Sequence, residues 1–210
     1  MMKIAILGAT GWLGSSAMTE ALNRGHEVVA ISRDVDELKQ QGLEAYGFDL
    51  MGDQALPQAL KDSDLVIAAI GGRAKGNHEM VAKSAQRLLT ELPEGKRLIW
   101  VGGAGSLEVA PGVALATVPE FPAEYKDEAL AQAEALEVFC QSKSLVNWLF
   151  VSPAAEIFPG ERSGQYRIGG DQLLTNDDGK SQISSQDYAV ALIDQAEKKE
   201  YMSQRISVAY

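Results

Sequence analysis

Three glycines recur at every third position, Gly8, Gly11 and Gly14, between an apolar run at residues 4–7 and an amphipathic stretch carrying Leu13, Ala17 and Ala21. These residue types at this spacing suit phosphate chemistry. The first glycine allows a tight turn off a strand, and the second lets backbone approach a pyrophosphate with no Cβ in the way. The third lets the following helix lie close to the sheet. The phosphates would then meet free N–H groups at the positive end of that helix. Gly8, Thr10, Gly11, Trp12, Leu13 and Gly14 are therefore candidate ligands of a dinucleotide.

The second apolar run, residues 26–32, ends where the cofactor ribose is read. An acid there would bind the 2′-hydroxyl of NAD, whereas an arginine accommodates a 2′-phosphate. Here the pair is Ser32-Arg33, a small residue and a fork-shaped cation, so NADP is the expected cofactor, with NAD as the alternative. Asp34 and Glu37 resemble a capping box opening a short helix. A third run, residues 43–48, ends in Asp49-Leu50, where the acid either accepts from an adenine amino group or caps the next helix. The fourth, residues 64–70, is wholly apolar and ends in Ala69, Ile70 and Gly71, small backbone against which a ribose can lie. The fifth, 97–101, opens onto Gly102 and Gly103; the sixth, 146–151, opens onto Ser152-Pro153.

Such residues act together only if six strand ends converge. Helical periodicity separates the runs, at residues 13–24, 54–60, 77–92, 125–142 and after 187. Alternating strands and helices predict an α/β fold, a Rossmann-like doubly wound parallel sheet flanked by helices. Its ligand crevice lies at the carboxyl ends of the strands. Residues 106–124 form a long irregular segment with Pro111, Pro119 and Pro122, and loops of that length in compact domains are usually functional. The glycine-rich residues 160–179 predict a hairpin or irregular lobe. Ser184 to Asp187 resemble a capping box before a last helix, and 205–210 a closing strand. The expected organisation is one domain, 1–210, with residues 153–185 forming a small lobe over the strand ends.

The chain has 19 basic and 29 acidic residues, a net charge of −10. That balance argues against nucleic acid or an anionic membrane as partner, since both need a basic footprint. A small-molecule substrate is expected, and a homodimer through helices flanking the sheet. The lone Cys140 can form no internal disulfide and fits a reducing compartment. No charged-then-apolar leader precedes the first strand and no apolar run reaches membrane length, so a cytoplasmic location is expected. His78, with no clustered partner, predicts no metal site, and His26 reads as structural.

Taken together, Gly-Ala-Thr-Gly-Trp-Leu-Gly at 8–14, Arg-Gly-His-Glu-Val at 24–28, Arg33, Asp49-Leu50 and Gly-Gly-Ala-Gly-Ser at 102–106 resemble the atypical short-chain dehydrogenase/reductases of the NmrA-like, NAD(P)-binding type. The resemblance spans nearly the whole chain. It implies an NAD(P)-binding protein, from a group that includes flavin, biliverdin and quinone reductases, epimerase-like enzymes and cofactor-binding regulators. Active short-chain reductases carry a Tyr four residues before a Lys on one helix, plus a Ser after the fifth strand. Ser106 matches that serine, and Tyr125 stands at the start of the helix, so both are candidate catalytic residues. The Tyr-Lys pair is missing: its places fall near Glu128 and Gln132. The favoured expectation is an NADP(H)-dependent reductase of a small conjugated acceptor (flavin, quinone or carbonyl). The alternatives are a non-catalytic NADP(H) redox sensor and an epimerase or dehydratase.

Overall fold

The computed structural model describes residues 1–73 and 76–210. Strand β1 (Lys3–Leu7) leads into α1 (Trp12–Asn23), β2 (Glu27–Ser32), α2 (Asp36–Gln40), β3 (Glu44–Gly47), α3 (Gln58–Asp62) and β4 (Leu65–Ala68). Then come α4 (Glu79–Glu91), β5 (Arg97–Val101), a small hairpin of β6 (Glu108–Ala110) and β7 (Val113–Ala114), a 3-10 turn at Leu115–Thr117, and α5 (Ala123–Gln141). The chain continues through β8 (Asn147–Ser152), β9 (Glu156–Phe158), β10 (Arg167–Gly169), β11 (Gln182–Ser184), α6 (Ser185–Lys198) and β12 (Gln204–Ala209).

One sheet runs β3-β2-β1-β4-β5-β8-β12-β10, parallel throughout except for β10 at its edge. The order reverses at β1: β2 and β3 lie on one side, β4 and the later strands on the other. That switch leaves a crevice beyond the strand ends. Ile4, Ala5 and Ile6 are fully buried, because helices cover both faces of the sheet. α1 packs with α6 on one face and α4 with α5 on the other.

Phe139 of α5 packs down onto Trp100, Trp148 and Phe150 of the sheet, its ring centroid 5.2–6.0 Å from each of theirs, close enough for aromatic packing. On the other face, the buried Tyr188 hydroxyl donates to Val151 O at 2.7 Å, and burial pushes its phenol pKa up. An ionic clasp ties α1 to α6 and to the segment before β10. Buried Glu20 accepts from Arg24 Nε and, through both carboxylate oxygens, from Arg162, each at 2.7 Å. Arg24 reaches on to Asp194 and Glu197. His26 is buried with Nε2 2.9 Å from Glu197, a structural placement.

Two local expectations are corrected. Asp34 and Glu37 form no capping box. The α2 N-cap is Val35, and Asp34 Oδ1 instead accepts from the Asp36 N–H, closing a turn before the helix. The helix expected at 54–60 begins at Gln58, with Pro57 at its N-cap; an interior proline would block a helical hydrogen bond. Of the two forms expected for residues 160–179 the hairpin is not made and the segment is largely irregular: its β10 joins the main sheet antiparallel to β12, while β9 pairs in parallel with β11 in a separate small sheet. At α6 the capping residue is Ser184, whose hydroxyl accepts from the Asp187 N–H. No helix among the described residues is long and apolar enough to cross a membrane.

Candidate functional site

A cleft of about 710 Å³ follows the carboxyl ends of the strands. That is within the usual range for a ligand pocket, roughly 300–1,000 Å³. The predicted cofactor residues Gly8, Thr10, Gly11, Trp12, Leu13, Gly14, Ser32, Arg33, Asp49, Leu50, Ala69, Ile70, Gly71, Gly102, Gly103 and Pro153 all line it. Ser152 does not, and its place is corrected: its side chain is buried in β8 below the lip, and the cleft wall begins at Pro153.

The opening turn explains its own glycines. Gly8 sits at φ +78°, and a Cβ there would lie 2.2 Å from Ala69 O. A Cβ on Gly14 would lie 2.1 Å from Gly8 O, so only a glycine lets α1 approach β1 this closely. A Cβ on Gly11 would come only within 3.2 Å of Gly8 O, so the protein itself asks less of this position. The first helical bond runs from the Ser15 N–H to Gly11 O, leaving the N–H groups of residues 12–14 without an intrahelical acceptor. No side chain caps them. A bare, uncapped helix start at the bottom of a cleft fits a pyrophosphate.

Around the β2 end, Thr10 Oγ1 and Ser32 Oγ lie 2.6 Å apart and fix the wall beside Arg33. Asp34 is turned to its own backbone turn, so the anion nearest Arg33 in sequence is outside the lining. Asp49 lines the cleft while its Oδ1 accepts from the Met51 N–H at 3.0 Å. Arg87 of α4 braces this loop by donating to the carbonyls of Leu50 and Gly52, each at 2.7 Å, and of Gln54. Trp12 stands half-exposed on the cleft lip.

The far end is formed by the long loop, α5 and the segment from Pro153 to Ile157, with Phe121 and Tyr125 as its aromatic surface. Tyr125, a candidate catalytic residue, lies in the lining, and the Arg73 guanidinium stacks 4.5 Å from its ring centroid. Ser106 is corrected. It does not line the cleft, and its Oγ accepts from Arg205 Nη1 at 2.9 Å, within a contact that also holds Asp171.

The positions of the missing Tyr-Lys pair hold a polar cluster that sequence spacing does not reveal. Glu128 and Gln132 both line the cleft, one turn apart on α5. Glu128 Oε2 accepts from the Gly72 N–H at 3.0 Å and lies 3.1 Å from His78 Nδ1. Gln132 Nε2 donates to Ile70 O at 2.9 Å and to Glu128 Oε1 at 3.2 Å, and its carbonyl accepts from the buried Trp100 Nε1 at 3.0 Å. Strand-end glycines make room for these residues. A Cβ on Gly71 would lie 3.1 Å from Glu128 Oε1, on Gly72 2.7 Å from His78 Cα, and on Gly103 2.9 Å from Gln132 Cβ. Those glycines are the signal the sequence carries, and in sequence they read equally well as backbone against a cofactor.

The profile of the NAD(P)H-binding family matches residues 8–199. YwnB of Bacillus subtilis is 38% identical over 212 residues, covering 99% of this chain and 98% of that protein. A crystal structure from Streptococcus pneumoniae, provisionally described as an NADH-flavin reductase, superposes with a TM-score of 0.90 at 36% identity, covering 100% of this chain and 99% of that one. Another, from Bacteroides thetaiotaomicron and provisionally described as an epimerase, gives 0.88 at 33% identity, covering 99% and 96%.

Proposed function

The chain belongs to the NAD(P)H-binding family, among the atypical short-chain dehydrogenase/reductases, and from that premise we propose that it is an NADP(H)-dependent reductase of a small conjugated acceptor such as a flavin, a quinone or another conjugated carbonyl. One observation carries the reading. The cleft gathers sixteen of the expected cofactor residues and an aromatic far end, yet Glu128 and Gln132 stand where the resemblance would place the phenol and cation that polarise an ordinary carbonyl. A conjugated acceptor delocalises the charge that hydride brings and does not need that polarisation.

When bound, the reduced nicotinamide supplies the hydride, and the protein binds and orients both partners and excludes water. The N–H groups at the start of α1 would hold the pyrophosphate. Arg33 would take the 2′-phosphate, with Ser32 leaving it room, and Asp49 would accept from the adenine amino group. Ala69, Ile70, Gly71, Gly102 and Gly103 offer backbone to the ribose and nicotinamide. Phe121 and Tyr125 would hold the flat acceptor against that ring, with residues 153–157 as the opposing wall. The provisional flavin-reductase description of the Streptococcus pneumoniae relative agrees with this acceptor class.

The test is NADPH and NADH oxidation by the purified protein with flavins, quinones and small aldehydes, alongside calorimetric titration of both cofactors. Turnover with conjugated acceptors and not with simple aldehydes supports the proposal. Tight binding with no turnover across the panel overturns it in favour of a redox sensor.

A further inference from the structure

The cluster on α5 remains unused by a protein that only binds and orients. Glu128 is 18% exposed, faces the cleft, accepts from the Gly72 N–H and from Gln132 Nε2, and pairs with His78 Nδ1 at 3.1 Å. A carboxylate has about four lone-pair directions. Gly72 and His78 occupy two on Oε2 and Gln132 one on Oε1, leaving one on Oε1. Gln132 is itself locked between Trp100 and Ile70, so it cannot swing away to serve a ligand. His78 occupies the N-cap position of α4 and is 28% exposed, so its ring meets both solvent and the carboxylate.

We propose that Glu128 is a catalytic residue, the group that hands the accompanying proton to the reduced acceptor, with His78 reloading it from solvent and Gln132 as its positioning residue. This rests on the reductase reading above. Transfer of hydride, two electrons with one hydrogen, oxidises the nicotinamide and leaves the acceptor negatively charged and one proton short. The Glu128 carboxyl gives its proton to the acceptor heteroatom where that charge gathers. His78 then passes its Nδ1 proton to Oε2, water restores the ring proton, and a half-turn of the carboxyl about its Cγ–Cδ bond brings the new O–H to the cleft side, each oxygen taking over the other's hydrogen bonds. The sum is reduced cofactor, acceptor and one proton going to oxidised cofactor and dihydro-acceptor.

The geometry also explains why this helix lacks the usual pair. A Tyr-Lys relay donates from a phenol beside a cation. Here the donor is a carboxyl on α5 beside an imidazole from the start of α4, seated by Gly71 and Gly72.

Two variants test it, Glu128→Gln and Glu128→Ala, assayed with whichever acceptor the wild type reduces. General acids typically contribute 10²–10⁴-fold. A conjugated acceptor tolerates delayed protonation, so kcat should fall about 100-fold in Glu128→Gln. Calorimetry should show the cofactor Kd within about threefold of wild type. Formate, a small acid able to enter the space left in Glu128→Ala, should restore part of the lost rate, which a structural role would not allow. Wild-type kcat in Glu128→Gln overturns the proposal and leaves the reductase standing. So does a cofactor Kd that rises in step with the rate loss, or an absence of formate rescue. If the wild type itself reduces no acceptor, the reductase reading fails and this proposal falls with it.

Discussion

Gly14→Ala tests whether close contact between α1 and β1 sets the cofactor site. The added Cβ would lie 2.1 Å from Gly8 O and 2.8 Å from Gly8 C, both backbone atoms that no rotamer change can move. Ordinary contact lies near 3.5 Å, so the start of α1 must move away by about 1 Å. Overpacking of this kind costs about 1–3 kcal/mol of stability. The effect on binding is larger, because the N–H groups of residues 12–14 move with the helix. Hydrogen bonds to a charged group contribute about 1.5–3 kcal/mol each. Losing most of two therefore weakens cofactor binding about 100–1,000-fold. Gly25→Ala is the control: φ there is +78°, and a Cβ at that position would meet no atom within 4 Å. It should cost about 1–2 kcal/mol of stability through its left-handed backbone and leave binding alone. Urea unfolding and calorimetric NADPH titration read both quantities. A Gly14→Ala protein that binds NADPH within twofold of wild type refutes the argument.

Arg33→Ala should weaken NADPH binding about 30–100-fold, the loss of one charge-assisted phosphate contact, and change NADH binding little; equal losses in a side-by-side titration would remove the 2′-phosphate role. Ser106→Ala should leave kcat within twofold and cost about 1 kcal/mol through the lost acceptor for Arg205; a tenfold drop in turnover would return Ser106 to the reaction. Arg162 and then Arg24 hold the Glu20 carboxyl below its usual range against the opposing effect of burial, so its contribution to stability is present above about pH 4 and lost as pH falls through the lowered folded value. Glu20→Gln should lower the unfolding free energy by about 1–2 kcal/mol at pH 7 and flatten the decline below pH 4; an unchanged acid limb in urea titrations would mean that the clasp contributes nothing.

The opening strand, the glycine turn and the order of strand ends were legible because each depends on local rules. Apolar runs mark buried parallel strands, and Gly8 and Gly14 mark places where backbone meets backbone. That is why sixteen of the predicted cofactor positions line one cleft. What escaped depended on partners distant in sequence. Glu128 and His78 are 50 residues apart, and no periodicity announces that they meet. Ser106 has the place of a strand-end serine, but Arg205, 99 residues on, claims its hydroxyl. Ser152 sits one residue too early, on a strand buried on both faces. β10 is hard to place from sequence because an antiparallel edge strand of three residues carries no run long enough to show its period.

The distribution of the three tryptophans has an optical consequence. Trp12 is 51% exposed on the cleft lip, whereas Trp100 is fully buried and Trp148 is 7% exposed among aromatic rings under α5. The emission of the protein therefore divides by colour. A red-shifted component comes from the wet indole on the lip, and a blue-shifted component from the two indoles packed between α5 and the sheet. Acrylamide would silence the first and spare the second, so quenching separates the cleft lip from the packing at α5 without a label.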